Sequence, residues 1–208
     1  MFKLAPEGRP FIAFFVMLST ITFLAGGFFA AFLPFLLILF MGYFFRDPER
    51  AAPEGENIFV SPADGKIILI DTVYEGQFLK SDAMQVSIFM SPLDVHVNRS
   101  PCDGAVEYVI HTPGKFLSAF KHEASLQNEN ISMLLNTVHG KILVRQVAGF
   151  IARRAVCRVK QGDTLKKGQR YGIKKFSSRL DVYLPANVKI KVNLGDKVKA
   201  GETILGEI

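Results

Sequence analysis

The sequence predicts a mainly β fold, an antiparallel barrel or sandwich preceded by an N-terminal hydrophobic helical hairpin. Three observations carry that prediction. From residue 57 onward, short apolar or alternating runs are separated by Gly and Pro turns, the pattern of antiparallel strands. The segment Gly162-Asp163-Thr164-Leu165-Lys166-Lys167-Gly168 returns 33 residues later as Gly195-Asp196-Lys197-Val198-Lys199-Ala200-Gly201. Two copies are too few for a solenoid, so the C-terminal third reads as pseudo-symmetric. Residues 10–45 carry no charge and are rich in Phe, Leu, Ile and Ala.

That charge-free run is 36 residues long, whereas one bilayer crossing takes about 20. A straight helix of that length would span roughly 54 Å. Gly26-Gly27 near its middle and Pro34 in its second half suggest two short helices folded back on each other, with one tilted span as the alternative. The run is longer than the apolar core of a cleaved signal peptide and lacks a small-residue cleavage site, so residues 1–45 read as a retained membrane anchor. Lys3 and Arg9 precede it and Arg46 and Arg50 follow it, which puts both ends, and the domain behind them, on the cytoplasmic side of the cell membrane. Residues 46–56, with Pro48, Pro53 and Gly55, form a linker, and residues 57–208 form the β-rich domain.

The formal net charge of +6 suits work against anionic lipid head groups. No nucleic-acid motif organises the basic residues, so no nucleic-acid partner is expected. Cys102 and Cys157 form no C-x-x-C pair and are expected reduced. His111, His122 and His139 lie apart without H-x-H or H-E-x-x-H spacing, and no metal site is expected.

Within the domain, strands are expected at residues 66–70, 84–90, 105–110, 132–135, 141–147 and 155–159. Residues 113–130 lack strand character and are long enough for a functional loop. The most informative stretch follows. From Arg179 to Pro185 the chain alternates, with Leu180, Val182 and Leu184 on one side and Arg179, Asp181 and Tyr183 on the other, as in a half-buried strand. Ser177 and Ser178 therefore sit in a turn entering that strand. A serine there is ordinarily a turn residue, yet a hydroxyl so placed can approach the carbonyl carbon before it.

The run Phe176, Ser178, Arg179, Leu180, Asp181, Val182, Tyr183, Leu184, Pro185 resembles the processing site of the short bacterial and archaeal phosphatidylserine decarboxylases, Phe-Gly-Ser-Arg-(hydrophobic)-Asp-(hydrophobic)-Tyr-Leu-Pro. Ser177 stands where that family has Gly. Asp64 in Ser61-Pro62-Ala63-Asp64-Gly65 is similar to the family's S-P-x-D-G, and His96 in Pro92-Leu93-Asp94-Val95-His96 to its P-x-D-x-H. The resemblance implies self-cleavage between Ser177 and Ser178 into a large chain, 1–177, and a small chain, 178–208, held together as a heterodimer. Ser178 would become a covalent pyruvoyl group, with neither metal nor pyridoxal phosphate needed. That group would bind the amine of a serine phospholipid as a Schiff base and release carbon dioxide, converting phosphatidylserine to phosphatidylethanolamine or acting on an ether-linked archaeal serine lipid.

On the same resemblance the catalytic residues are Ser178, His96 and Asp64, in the manner of a carboxylate orienting an imidazole that activates a hydroxyl. Longer bacterial enzymes carry a second histidine three positions after the first; here that position is Arg99. His96 then serves both cleavage and decarboxylation, or another base serves cleavage. Lys115, Arg153, Arg154 and Arg179 are candidate partners for the lipid phosphate, Lys115 from its place in the 113–130 loop and the arginines by guanidinium geometry. Ser177 adds a cost of order 1 kcal/mol where Gly would adopt positive φ freely, so cleavage is expected to be slower but real.

The G-D-x-(L/V)-K-x-G turns also resemble those of biotinyl/lipoyl hammerhead domains, which raises a rival function: an uncleaved, non-catalytic membrane-tethered carrier or adaptor. A carrier displays a lysine at a hairpin tip between such turns, and here Ser177-Ser178 occupies that place. Oligomeric state beyond the heterodimer is left open by the sequence.

Overall fold

The computed structural model describes residues 3–115, 127–149, 154–175 and 178–208. The chain forms two compact units, the first ending at Glu49 and the second running from Arg50 to Ile208. In the first, a short 3-10 turn, Pro6–Gly8, leads into one long apolar helical element, α1, Arg9–Phe44. Two short helices folded back on each other were expected here; the chain forms one long helical element instead. Its single non-helical residue is Gly27, at φ 70 and ψ −160, a conformation that a residue without Cβ adopts readily. The segments flanking α1 pair with each other: Leu4 bridges Arg46 in antiparallel fashion, Ala5 N–H donates to Phe45 O at 2.8 Å, and Phe11 stacks on Phe45 at 5.5 Å between centroids. The element is long and apolar enough to cross a membrane.

In the second unit every pairing of named strands is antiparallel. In chain order its strands are β1 (Ile58–Val60), β2 (Gly65–Glu75), β3 (Ser81–Met90), β4 (Val97–Arg99), β5 (Gly104–Thr112), β6 (Asn130–Thr137), β7 (Gly140–Val147), β8 (Arg154–Cys157), β9 (Thr164–Leu165), β10 (Arg170–Lys175), β11 (Ser178–Pro185), β12 (Lys189–Ile190), β13 (Lys197–Val198) and β14 (Ile204–Glu207). Eight of them make one sheet in the order β13-β2-β3-β11-β7-β6-β5-β9, and two three-stranded sheets, β1-β14-β12 and β4-β10-β8, complete the domain. The main core holds Ile67, Ile88, Val144, Leu180, Val182 and Leu184 from the large sheet together with Phe59, Tyr171 and Leu205. The apolar side of β11 is thus in the core, as its alternation requires.

The other side of β11 departs from the half-buried reading. Arg179 and Asp181 are as buried as the core because polar side chains cover them, and Tyr183 packs in a second apolar cluster with Ala83, Leu134 and Leu143. Arg179 Nε donates to Asp181 Oδ1 at 2.6 Å and its Nη2 to Ser87 Oγ at 2.9 Å. Arg145 donates to Ser132 Oγ, Tyr183 Oη and Glu75 Oε1 at 3.1–3.2 Å. Buried charges persist only when paired and hydrogen-bonded in this way.

The pseudo-symmetry runs deeper than the repeated glycine turns. Ser100-Pro101-Cys102-Asp103-Gly104 repeats Ser61-Pro62-Ala63-Asp64-Gly65, and the two segments answer each other across the domain. Val60 N–H donates to Pro101 O at 2.8 Å and Arg99 N–H to Pro62 O at 2.9 Å. Ser61 Oγ donates to Ala63 O and Ser100 Oγ to Cys102 O, both at 2.7 Å. Gly201 N–H donates to Ser61 O and Gly168 N–H to Ser100 O, each glycine at positive φ, 77 and 75. Two copies of one loop-and-turn unit, starting β2 and β5, therefore lock the domain's ends together.

Gly65 shows how tight that lock is. At φ 153, a Cβ there would lie 2.1 Å from Phe89 O. Lys66 faces Phe89, and Phe89 faces Arg179, so any shift passes to the residue next to Ser178. Gly65→Ala is expected to destabilise the domain by about 1–3 kcal/mol through overpacking, read as a lower denaturant midpoint with cleavage slowed in step.

Candidate functional site

The site is built where β11 begins. Ser178 opens the strand opposite Met90 of β3, and Arg179 lies between Phe89 of β3 and Val147 of β7. β11 is the fourth of eight strands in the sheet, so the candidate nucleophile heads a strand held on both sides. Ser177, Arg153 and most of the 113–130 loop lie outside the described residues, and Arg154 is placed by its backbone alone, opposite Lys175.

His96 is fully buried just ahead of β4. Its Nδ1 lies 2.9 Å from Asp94 O. That contact requires the proton on Nδ1, which leaves Nε2 as the basic nitrogen. The same loop is fixed by Asp94, whose Oδ2 accepts from Ser91 N–H at 2.7 Å. His96 O in turn accepts from Lys174 N–H at 3.0 Å, which ties the imidazole's backbone to β10, the strand that runs into the 177–178 bond.

Asp64 is held elsewhere. Its Oδ2 accepts from Arg50 Nη2 at 2.8 Å, and its Oδ1 accepts from Arg50 Nη1 and from Ala200 N–H, the latter at 2.8 Å. The repeat partner Asp103 does the same for Lys167 N–H at 2.7 Å, a bond that holds the Asp103 carboxyl below its usual range. The shared task of the two aspartates is to pin a G-D-x-(L/V)-K-x-G turn. Arg50, expected as a flanking charge of the anchor, is buried in this pair and also donates to Ala200 O at 2.8 Å.

Arg99 is buried, with Nη1 on Gly168 O at 2.9 Å. Arg179, one of the expected phosphate partners, is spent on Asp181 and Ser87. With Arg145 and Glu75 it lines a cleft of about 250 Å³. Lys115 is exposed, with Nζ 3.4 Å from Gln127 Oε1. His111 pairs with Glu129 at 3.1 Å and His139 Nε2 lies 3.2 Å from Glu56 O. Among the described residues, no three His, Cys, Asp or Glu side chains are grouped to hold a metal ion. Cys102 and Cys157 are free thiols, and burial pushes Cys102 up to about 12.

The sequence reading passed over two buried groups beside this cluster. Lys174, one of a Lys-Lys pair ahead of the processing motif, is fully buried. Gln146 donates to Asn98 Oδ1 at 2.7 Å, while its own Oε1 is buried with no partner among the described residues.

The chain thus joins an apolar helical element long enough to cross a membrane to a β domain with a buried polar cluster at the head of a central strand. The family profile for phosphatidylserine decarboxylase matches residues 37–206. A phosphatidylserine decarboxylase proenzyme of Syntrophus aciditrophicus is 48% identical over 206 residues, covering 98% of this chain and 96% of that protein. The corresponding proenzyme of Desulfotalea psychrophila is 46% identical over 205 residues, with 98% and 96% covered, and that of Burkholderia multivorans 42% over 206 residues, with 99% and 96%. The chain belongs to the phosphatidylserine decarboxylase family, of the short type by its length. Its activity is that of a carboxy-lyase in phospholipid biosynthesis.

Proposed function

We propose that this chain makes its own reactive carbonyl by breaking the 177–178 peptide bond and then decarboxylates phosphatidylserine at the cytoplasmic face of the membrane. The observation that carries this reading is the place of Ser178, at the head of a strand fixed on both sides and next to the His96 loop. In the first stage Ser178 Oγ attacks the carbonyl carbon of Ser177 and the chain passes through an ester. Elimination across Cα–Cβ of residue 178 releases the carboxylate of residue 177. Addition of one water and loss of ammonia then leave a ketone at the new N-terminus. That ketone, a pyruvoyl group, supplies an electron sink on which a serine amine can lose carbon dioxide.

The residues around it fit such a group. His96 Nε2 moves the proton, delivering it to the substrate carbon once carbon dioxide has left. Asp64 acts through the fold: with Arg50 it fixes the turn at Ala200 and the start of β2, which sets β3 against β11. Lys115 and the Arg153-Arg154 pair are the basic residues left for the lipid phosphate. The small chain cannot drift away, because β11 is paired with β3 and β7, β13 with β2, and β14 with β1, all in the large chain.

Denaturing mass spectrometry of the purified protein tests the reading. Two chains, 1–177 and 178–208, are expected, the smaller with a blocked N-terminus that gains the mass of the lipid amine when borohydride is added with substrate. A single species of full length defeats it.

A further inference from the structure

We propose that Lys174 is the proton acceptor of self-cleavage, its Nζ taking the Ser178 hydroxyl proton as Oγ bonds to the carbonyl carbon of Ser177. The inference rests on the reading above and deepens it. When the carbon–nitrogen bond breaks, the same proton passes from the ammonium to the departing amide nitrogen, so no co-reactant is needed.

Cleavage needs a group with a free lone pair, and most polar neighbours lack one. Arg99 is a permanent cation bonded to Gly168 O. Asp64 is taken by Arg50 and Ala200 N–H, and Asp181 is paired with Arg179. Lys174 Nζ differs. It is buried and makes no hydrogen bond among the described residues. An ammonium has three protons and no acceptor, so burial without partners favours the neutral amine. Desolvation accordingly lowers Lys174 from its usual 10.5 to about 7, against the pull of Glu129 and Asp181.

Position supports the role. Lys174 lies three residues before the scissile carbonyl, on the strand that leads into it, with its N–H on His96 O. Glu129 and Asp181 both belong to the Ser178 end of the large sheet, where Asn130 faces Val147 and Val147 faces Arg179. Strand alternation puts Lys174 on the same face of β10 as Gly172. A Cβ at Gly172 would lie 3.2 Å from Gln146 Nε2, so that face turns toward β7. The charged and titratable groups bearing on the amine are therefore Glu129 ahead of β6, Asp181 with Arg179 on β11, and His96 ahead of β4.

Cell-free synthesis of the full chain in lipid nanodiscs, followed over time by denaturing mass spectrometry from pH 6 to 9, tests the proposal. The wild-type cleavage rate is expected to rise with pH and level off above about pH 7. Lys174→Met and Lys174→Arg are expected to cleave about 100-fold more slowly, the usual size of a lost general base, with the pH rise abolished. Propylamine is expected to speed Lys174→Ala and leave the arginine variant unchanged. Lys174→Gln keeps the test readable should the methionine variant fail to fold. Variants that cleave at the wild-type rate with the wild-type pH profile overturn this proposal and leave the decarboxylase reading intact. A wild-type chain that never cleaves overturns both.

Discussion

Ser178→Ala is expected to persist as one full-length chain and to decarboxylate no faster than the uncatalysed reaction. The loss should exceed about 10⁶-fold, the lower end of ordinary enzymatic acceleration, because the substitution removes the atom that attacks and the carbon skeleton that becomes the ketone. Fold should be spared. Ser178 contributes backbone pairing to Met90 at the head of β11, and alanine keeps that pairing. The variant's melting temperature should therefore match the uncleaved wild-type precursor while carbon dioxide release disappears. Cleavage in this variant, or release of carbon dioxide from phosphatidylserine by the intact chain, would remove the basis for the proposed chemistry.

The longer strands were legible because each shows a local period, β11 best, whereas β1, β4, β9, β10, β12, β13 and β14, two to six residues each, are too short to show one. The apolar residues of β11, Leu180, Val182 and Leu184, enter the core as written. The opposite face was misjudged because period alone separates two sides of a strand and does not say what covers each. Arg145 and Glu75, 70 residues apart, close over Tyr183 only in three dimensions. Arg50 failed for a similar reason: next to an apolar run it reads as a flanking charge, and its partner Asp64 stands 14 residues on. The second S-P-x-D-G, Ser100 to Gly104, stands in the sequence but gained meaning only when the two copies were seen bonded to each other. It explains why Asp64 has a fold-holding task that Asp103 shares.

The buried cluster also shows why motif resemblance supplies candidate groups without assigning them to steps. His96 is fixed by a backbone carbonyl, Asp94 O, where a carboxylate was expected to orient it. The imidazole thus has a defined tautomer without Asp64, and Asp64 is free to act on the frame. Lys174 had no signal at all. A Lys-Lys pair before a turn ordinarily reads as solvated surface, and only the packing of β10 between β4 and β8 takes Lys174 out of water.

That packing has a thermodynamic signature. In the Ser178→Ala background, where the chain stays whole, stability is expected to climb between pH 7 and 9, and Lys174→Met is expected to flatten the climb. The folded chain holds the Lys174 proton only below about 7, the unfolded chain below 10.5. Between those values the unfolded state binds more protons, so stability rises with pH and is lowest below the folded value. Each pH unit is worth about 1.4 kcal/mol, which gives roughly 3 kcal/mol over this window. Cys102 sets its upper limit, because a thiol raised from 9.0 to about 12 offsets the lysine's gain above pH 9. At pH 7 the methionine variant should be the more stable by about 3–5 kcal/mol, since a neutralised buried amine is replaced by an apolar chain of similar length. Urea midpoints measured on both chains at pH 7, 8 and 9 decide it. Parallel lines for the two proteins would mean that Lys174 keeps an ordinary lysine's proton affinity, and with it no capacity to accept one from Ser178 near neutrality.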